Sequence, residues 1–507
     1  MTRNHHVRNK FSWLLISIIL LAGVDSYGQN MFVLTQSNYN AVGGSLANPA
    51  ILTNTRNYFE VNVAAFHFHL WNDFAYLPSS DINIWQLMTP DPVLPEYGEK
   101  QTNFMYYRNR HSKQMSYFTG VMGPSAMMQR GKHAFALITS FRYFTHAANI
   151  PWEIPVIGAE GIKHEPLQNI NYKDENADIS AQGWMELGFS YAYDIYHRFD
   201  KQITVGASVK LLWGYAGMTA QVNDLDYIIV DDSTLNFRNL NGQIGYALPL
   251  DYDNNDFPDH DPFFKGFGAG LDIGVVFTKR RYIDNKSFDQ LCDQRFEDYH
   301  YRVGFSLLDI GGVRYKNNAQ YHSFDDVSRI WQNFDTISYS DFNQVVGDLS
   351  EVFYGDPAAS YRKDNFRIGS PMAVSLQFDY HIPKKEAFYI AAYWIQPVRL
   401  NKHTLRRPAQ IAIVPRYETK NIEVLIPVSL YEYSQFRLGL AARFGFLTIG
   451  TDKLGTYLGL GDITGLDFYA AVRFNFGKGT CRNKIPDACE NSEFGYSDKQ
   501  KLMFRKK

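Results

Sequence analysis

The feature that most constrains this chain is an alternation of apolar and polar residues sustained over segments of about ten positions. In residues 203–213, Ile203, Val205, Ala207, Val209, Leu211 and Trp213 fall on one side, and Thr204, Gly206, Ser208 and Lys210 on the other. Side chains of a strand point to opposite faces in turn, so the pattern specifies a strand with one greasy and one wet surface. Residues 267–277 repeat it, setting Phe267, Ala269, Leu271, Ile273, Val275 and Phe277 against Gly268, Gly270, Asp272 and Gly274. Residues 372–380, 185–195, 436–444 and 466–476 follow the same rule. A strand in a soluble sandwich is typically ~5 to 6 residues, whereas a tilted strand crossing an outer membrane needs ~9 to 11. The lengths fit the second case.

The fold class expected is therefore all-β: a transmembrane antiparallel β-barrel of about 14 strands. Candidate strands lie near residues 58–70, 102–109, 114–122, 133–144, 184–197, 202–215, 266–279, 300–309, 371–381, 386–396, 408–417, 421–431, 435–447 and 466–477. Short turns near 199–202, 383–386, 419–421 and Ser434 alternate with long extracellular loops over 71–101, 145–183, 216–265, 280–299 and 310–370. Residues 284–299 and 323–349 carry spacing suited to short helices over the barrel mouth.

The ends and the composition agree. Arg3, His5, His6, Arg8 and Lys10 precede an apolar run over 11–24 and the small residues near Gly28, the order of a signal peptide spanning 1–28. That run is too short to cross a ~30 Å hydrocarbon core as a helix, and no later run of ~18 apolar residues exists. No cysteine follows the cleavage point to take a lipid anchor. With 37 Phe, 34 Tyr and 37 Gly but only 20% charged residues, the chain has the aromatic, glycine-rich bias of a membrane barrel. A net charge of −2 offers no field for nucleic acid. Residues 29–57 are expected to form an N-terminal plug, 58–477 the barrel, and 478–507 a periplasmic tail. Cys481 and Cys489 are spaced to close a small loop, with Cys292 left over.

Glu186, Asp272, Asp379, Arg437, Arg443 and Arg473 fall on polar strand faces and are expected to point into a lumen. There they either tune ion selectivity or hold a plug through ion pairs. Asp251, Asp253, Asn255, Asp259 and Asp261 form an acidic loop that reads two ways, as a solvated surface or as a weak Ca²⁺ site. It lacks the glycine and distal glutamate of an EF-hand, and no other cofactor is expected. His67 and His69 share a face with Val61 and Val63 and are expected where the first strand meets headgroups; a metal pair is the rarer reading. The glycines Gly266, Gly268 and Gly270 alternate inside one strand and do not open a helix, so they are packing positions and not a nucleotide loop. No nucleophile elbow, zincin helix or phosphate loop occurs, which argues against an enzyme.

Asn48, Pro49 and Ala50, following a glycine-rich stretch, resemble the start of the long-chain fatty-acid transporter (FadL-like) barrels. That resemblance implies an N-terminal hatch inside a fourteen-stranded barrel, with Asn48 and Pro49 as plug residues. The runs 266–274 and 304–311, with 443–452 and 467–469, resemble an uncharacterised family of Bacteroidota outer-membrane barrels. The expected function is passage of a small solute, which the first resemblance makes hydrophobic. The alternative is a platform for a secretion or surface-assembly complex, as in type IX secretion-associated barrels. The expected partners are outer-membrane lipid, the barrel-insertion machinery, which the terminal run Val472, Phe474, Phe476 is similar to a signal for, and envelope proteins.

Overall fold

The structure, a computed structural model, describes residues 35–476 except 88, 90–104, 108, 199, 257–261, 281–297, 335–340 and 384–386. The expected signal peptide (1–28), the expected tail (478–507) and the three cysteines lie outside the described residues. The core of the molecule is a closed antiparallel barrel of 14 strands. In chain order the strands are β1 (Phe59–Asn72), β2 (Lys113–Met122 continued by Ser125–Arg130), β3 (His133–Ile150), β4 (Asn171–Arg198), β5 (Lys201–Ile229), β6 (Leu235–Ala247), β7 (Gly266–Arg280) and β8 (Tyr299–Tyr315). They continue as β9 (Ala319–Trp331), β10 (Phe366–Gly369 and Ala373–His381), β11 (Phe388–Pro397), β12 (Gln410–Glu418) and β13 (Ile422–Leu425 and Val428–Tyr431). The last are β14 (Gln435–Leu438 and Leu440–Phe444), β15 (Leu447–Thr451) and β16 (Gly465–Phe476). β1 pairs with β16 from Phe59↔Phe476 to Trp71↔Gly465 and closes the wall. Phe59 and Phe476 thus mark a terminal end; the opposite rim is the loop end.

The alternation does what strand geometry demands. Val209, Phe189, Leu376 and Ile413 stand 57%, 53%, 39% and 54% exposed on the outer face. Their neighbours Ser208, Ser190, Ser375 and Ala412 are buried inside. No helix among the described residues is long and apolar enough to cross a membrane, so any crossing is by strands.

β6 and β9 stand outside the barrel. β5 leaves β7 at Gly214↔Gly266 and runs on beyond the rim, pairing with β6 from Gly217↔Ala247 to Ile229↔Leu235. β9 adds to β6 between Ala319↔Ala247 and Trp331↔Leu235. This extension has its own core, in which Tyr172, Tyr227, Ile229, Leu235 and Trp331 pack with Val156 and Leu167. Two helices cover it, α2 (Glu153–Glu160) and α3 (Phe342–Tyr354); α1 is a short helix in the N-terminal segment (Ala41–Ser45).

Several expectations are corrected. Of the expected strand 102–109, residues 102–104 and 108 lie outside the described residues, and Met105 and Tyr106 pair with Tyr76 and Ala75 in a separate two-stranded sheet, not with the barrel wall. The fourteenth strand is β15, which starts at Leu447 where the expected strand 435–447 ends; the apolar pattern runs unbroken through a tight turn at Gly445, whose φ is 58°, and concealed the reversal. β4 and β5 reach residues 171 and 229, far past the expected 184 and 215. Beyond the rim neither strand faces lipid, so backbone pairing continues where the alternation signal stops. The 280–299 connection joins the end of β7 to the start of β8, which lie at the terminal end beside the short turns. Both ends of the expected outer loop 280–299 are therefore at the terminal end, and residues 281–297 between them lie outside the described residues. His67 and His69 do not share a face with Val61 and Val63, because a bulge between Asn62 and Ala64 swaps the faces of β1. Both histidines are buried inside the barrel.

Candidate functional site

The lumen of a 14-strand wall is too wide for wall side chains alone to fill, and it is occupied in tiers. The N-terminal segment enters first, with α1 and a 3₁₀ turn over Pro49–Thr53 fully buried. Asn48 caps that turn by accepting from the Ala50 N–H at 3.0 Å. Its amide donates to Val275 O at 3.2 Å, Phe305 O at 3.3 Å and Gln377 Oε1 at 2.9 Å, so one side chain touches three strands. Pro49, at the first position of the turn, has no N–H to leave unpaired. The wall approaches closely here: a Cβ on Gly206 would lie 2.5 Å from Ala50 N, and one on Gly274 2.1 Å from Asn48 Oδ1. Gly206 and Gly274 are direct partners on β5 and β7 and form the trough that seats the plug.

Below it, at the terminal end, Asp379 accepts from Tyr299 at 2.6 Å, Arg302 at 2.7 Å and Arg416 at 2.9 Å. Arg302 also donates to Asn54 O at 2.8 Å, tying this cluster to the plug. Glu418 accepts from the Asn38 amide at 2.9 Å, and Glu423 from Ser37 Oγ at 2.8 Å and Arg443 Nε at 3.0 Å. Glu60 accepts from the Ala41 and Val42 N–H groups at 2.7 and 3.1 Å.

Above the plug lies a sealed charge layer. Arg142 pairs with Glu186 and Asp309, each at 3.0 Å; Lys210 pairs with Asp272 at 2.6 Å and Asp309 at 2.7 Å; Arg407 also pairs with Asp309. All six are at most 5% exposed. Asp309 adopts a φ of 53°, in the left-handed region, at a bulge where β8 carries extra residues opposite Asp272 of β7. Strain of this kind persists only where the surroundings over-determine it; here the surroundings are three cations. Next comes an apolar band of Phe118, Phe144, Trp184, Tyr315, Phe366 and Leu405.

Leu405 and Arg407 belong to the connection 398–409, which folds inward from the loop end as a second stopper. His403 O accepts from Gly369 N at 2.9 Å and Leu405 N donates back to Gly369 O at 3.0 Å. Arg399 pairs with Asp178, and Arg406 with Glu432.

The residues singled out from sequence thus sit in different tiers. Asn48 and Pro49 are in the plug turn, Glu186 and Asp272 in the charge layer, and Asp379 and Arg443 in the terminal cluster. Arg437 lies over the Tyr431 ring at 3.4 Å, beside Asp467, which holds His67 at 2.9 Å and His69 at 3.0 Å. Arg473 is buried opposite Asn62. Sequence reasoning missed Arg142, Asp309 and Arg407. The first was legible, since it alternates with the inward Ser140 and Phe144; the other two depend on a bulge and an infolded loop. Among the described residues no group of three or more His, Cys, Asp or Glu gathers to hold a metal. In the acidic loop, Asp253 accepts from Asn343 Nδ2 at 2.6 Å and Asn255 from Phe342 N at 3.2 Å, so both fasten the start of α3. The Asp251 N–H closes a turn on Asp256 O, and Asp259 and Asp261 lie outside the described residues.

On the extension, Glu153 is buried under α2 and accepts from Tyr227 OH at 3.1 Å. Burial, with Asp174 alongside, pushes its carboxyl up to about 7.

No curated protein matches the chain. In shape it is similar to the toluene transporter TbuX of Ralstonia pickettii, with 9% identity, 86% of this chain and 93% of that one covered, and a TM-score of 0.37. A FadL homologue of Pseudomonas aeruginosa gives 9% identity, coverage of 89% and 99%, and a TM-score of 0.39. The translocator domain of the autotransporter NalP from Neisseria meningitidis gives 7%, 86% and 93%, and 0.33. These likenesses are too distant to carry chemistry across. A sequence family matches over residues 49–452, and the chain belongs to it: a family of unknown function (DUF5723).

Proposed function

We propose that this chain is an outer-membrane β-barrel that passes a small, largely apolar solute when two stoppers are displaced from its lumen, and that it is not an enzyme. The outer belt of exposed Phe, Leu, Ile and Val suits a bilayer, and a closed wall leaves no edge unpaired in lipid. The observation that carries the reading is that the lumen is blocked by segments entering from either end. A barrel serving only as an anchor closes at smaller width with its own side chains. Phe118, Trp184, Tyr315 and Phe366, lying beneath the infolded loop, offer apolar contact along the route.

The extension of β4, β5, β6 and β9, with its own core, favours a second reading in which envelope proteins dock there and the barrel is a platform. Planar-bilayer recordings separate the two. Wild-type protein is expected to be silent. A variant lacking residues 35–57 and carrying Arg399→Ala and Arg407→Ala is expected to show discrete conductance and to swell liposomes in sugar solutions. A doubly unstoppered variant that stays folded yet conducts nothing contradicts passage and leaves the platform.

A further inference from the structure

At the loop end, away from the lumen, a cleft of about 600 Å³ opens between α3, residues 357–364 and the extension strands β6 and β9. That size is typical of small-ligand sites. Its base is buried and apolar in part, through Ala319 and Val346, but its polar atoms are arranged with consistent direction. Asn318 gives amide hydrogens to Leu248 O at 3.0 Å and Leu250 O at 2.7 Å, so its remaining polar atom is a carbonyl acceptor. Gln320 is reversed. Its Oε1 takes the Tyr246 hydroxyl at 2.8 Å and His322 Nε2 at 3.1 Å, so its amide is the donor, giving one hydrogen to Asn343 Oδ1 at 3.4 Å and keeping the second for a guest. Burial, with Arg362 nearby, holds the His322 imidazole down at about 4, so it is neutral at pH 7.

Lys316 and Asp364, both exposed, stand at the mouth with opposite charges. Tyr361, 44% exposed, lines the cleft with its ring edge-on to His322. A fully apolar guest would leave these donors and acceptors unpaired, and a charged guest would meet one like charge. A neutral ring bearing several hydroxyls satisfies the set, because each hydroxyl both donates and accepts and the C–H face of a pyranose packs on an aromatic ring.

We propose that this cleft is a saccharide-binding site formed by Tyr361, Asn318, Gln320, Lys316 and Asp364. It stands apart from the lumen and does not depend on whether solute passes there.

The test is saturation-transfer difference NMR on the whole barrel in an amine-oxide detergent, which has no sugar headgroup to compete. The probes are methyl α-glucopyranoside, methyl α-mannopyranoside, N-acetylglucosamine and maltose, with 2-naphthol as the apolar control. At least one pyranoside is expected to give ring-proton signals. Tyr361→Ala and Asp364→Ala, both exposed positions, are expected to weaken it about tenfold each, roughly 1.4 kcal/mol. Tyr361→Phe, which keeps the ring, is expected to retain it. Absence of signal from every pyranoside overturns the proposal. So does pyranoside binding that neither alanine variant alters, or naphthol binding that Tyr361→Ala alone abolishes while the sugars stay silent.

Discussion

The plug and the infolded loop both close the lumen, yet the plug is seated by backbone contact and the loop by charge. Asn48, Pro49 and Ala50 press against Gly206 and Gly274 at distances only glycine permits, the bonds of Asn48 run to neutral or main-chain atoms, and the carboxylates that hold the rest of the plug, Glu60, Glu418 and Glu423, are buried out of reach of salt. The 398–409 loop is held by Arg399, Arg406 and Arg407 on Asp178, Glu432 and Asp309. A backbone seat tolerates no added volume and ignores salt. A guanidinium–carboxylate seat tolerates volume and weakens with salt where water reaches it. The wall therefore has a fixed stopper at the terminal end and an adjustable one at the loop end.

Breaking the comparison at its hub has the largest expected effect. Asp309→Ala leaves Arg142, Lys210 and Arg407 buried around two remaining carboxylates and is expected to cost about 3–5 kcal/mol. Thermal unfolding in detergent measures it; a melting temperature unchanged from wild type contradicts the charge layer. Next in size is Gly274→Val, which drives a side chain into Asn48 at a cost of about 1–3 kcal/mol. The expected readout is proteolysis within residues 35–57 that wild-type protein resists, with the barrel itself intact. Arg399→Ala follows, at about 0.2–1 kcal/mol, because Arg399 is partly exposed. Proteolysis within residues 398–409 is expected to quicken in this variant and in high salt, while plug proteolysis stays constant in both. Salt acting equally on plug and loop removes the distinction.

The smallest effect is local and lies on the extension. Glu153 and Val156 are the buried residues of α2, so the helix docks through one carboxyl as well as through apolar packing. Its folded pKa, raised to about 7, means docking is strongest below the ordinary value of 4.5 and is lost as pH rises through 7. The protection factor at residues 153–160, with the base-catalysed intrinsic exchange rate divided out, is expected to be lower at pH 8 than at pH 5, and Glu153→Gln is expected to remove the difference. Protection that grows with pH reverses the sign and sinks the assignment.

How far the sequence could be read follows from what each part faces. Val209 against Lys210, or Phe378 against Asp379, declares its surface because lipid and lumen make opposite demands on neighbouring residues. Residues 171–177 of β4 pair only within the extension and face neither, so no lipid-against-lumen alternation announced their strand. β15 was concealed by apolar residues on both sides of Gly445, and the faces of His67 and His69 by a bulge that alternation alone does not announce. Glu186, Asp272 and Asp379 were legible as inward charges because strand parity places them. Arg407 and Asp309, which pair with each other in the charge layer, were not, since an infolded loop and a left-handed residue obey no period.

Nitroxide scanning of residues 375–380 in bilayers asks whether the wall has lipid outside and a filled lumen inside. Labels at Leu376, Phe378 and Tyr380 are expected to collide with membrane-soluble oxygen, while labels at Ser375, Gln377 and Asp379 are expected to be shielded from both oxygen and a water-soluble nickel chelate. Labels at all six positions that respond alike, or odd-numbered positions that meet the chelate freely, would contradict it.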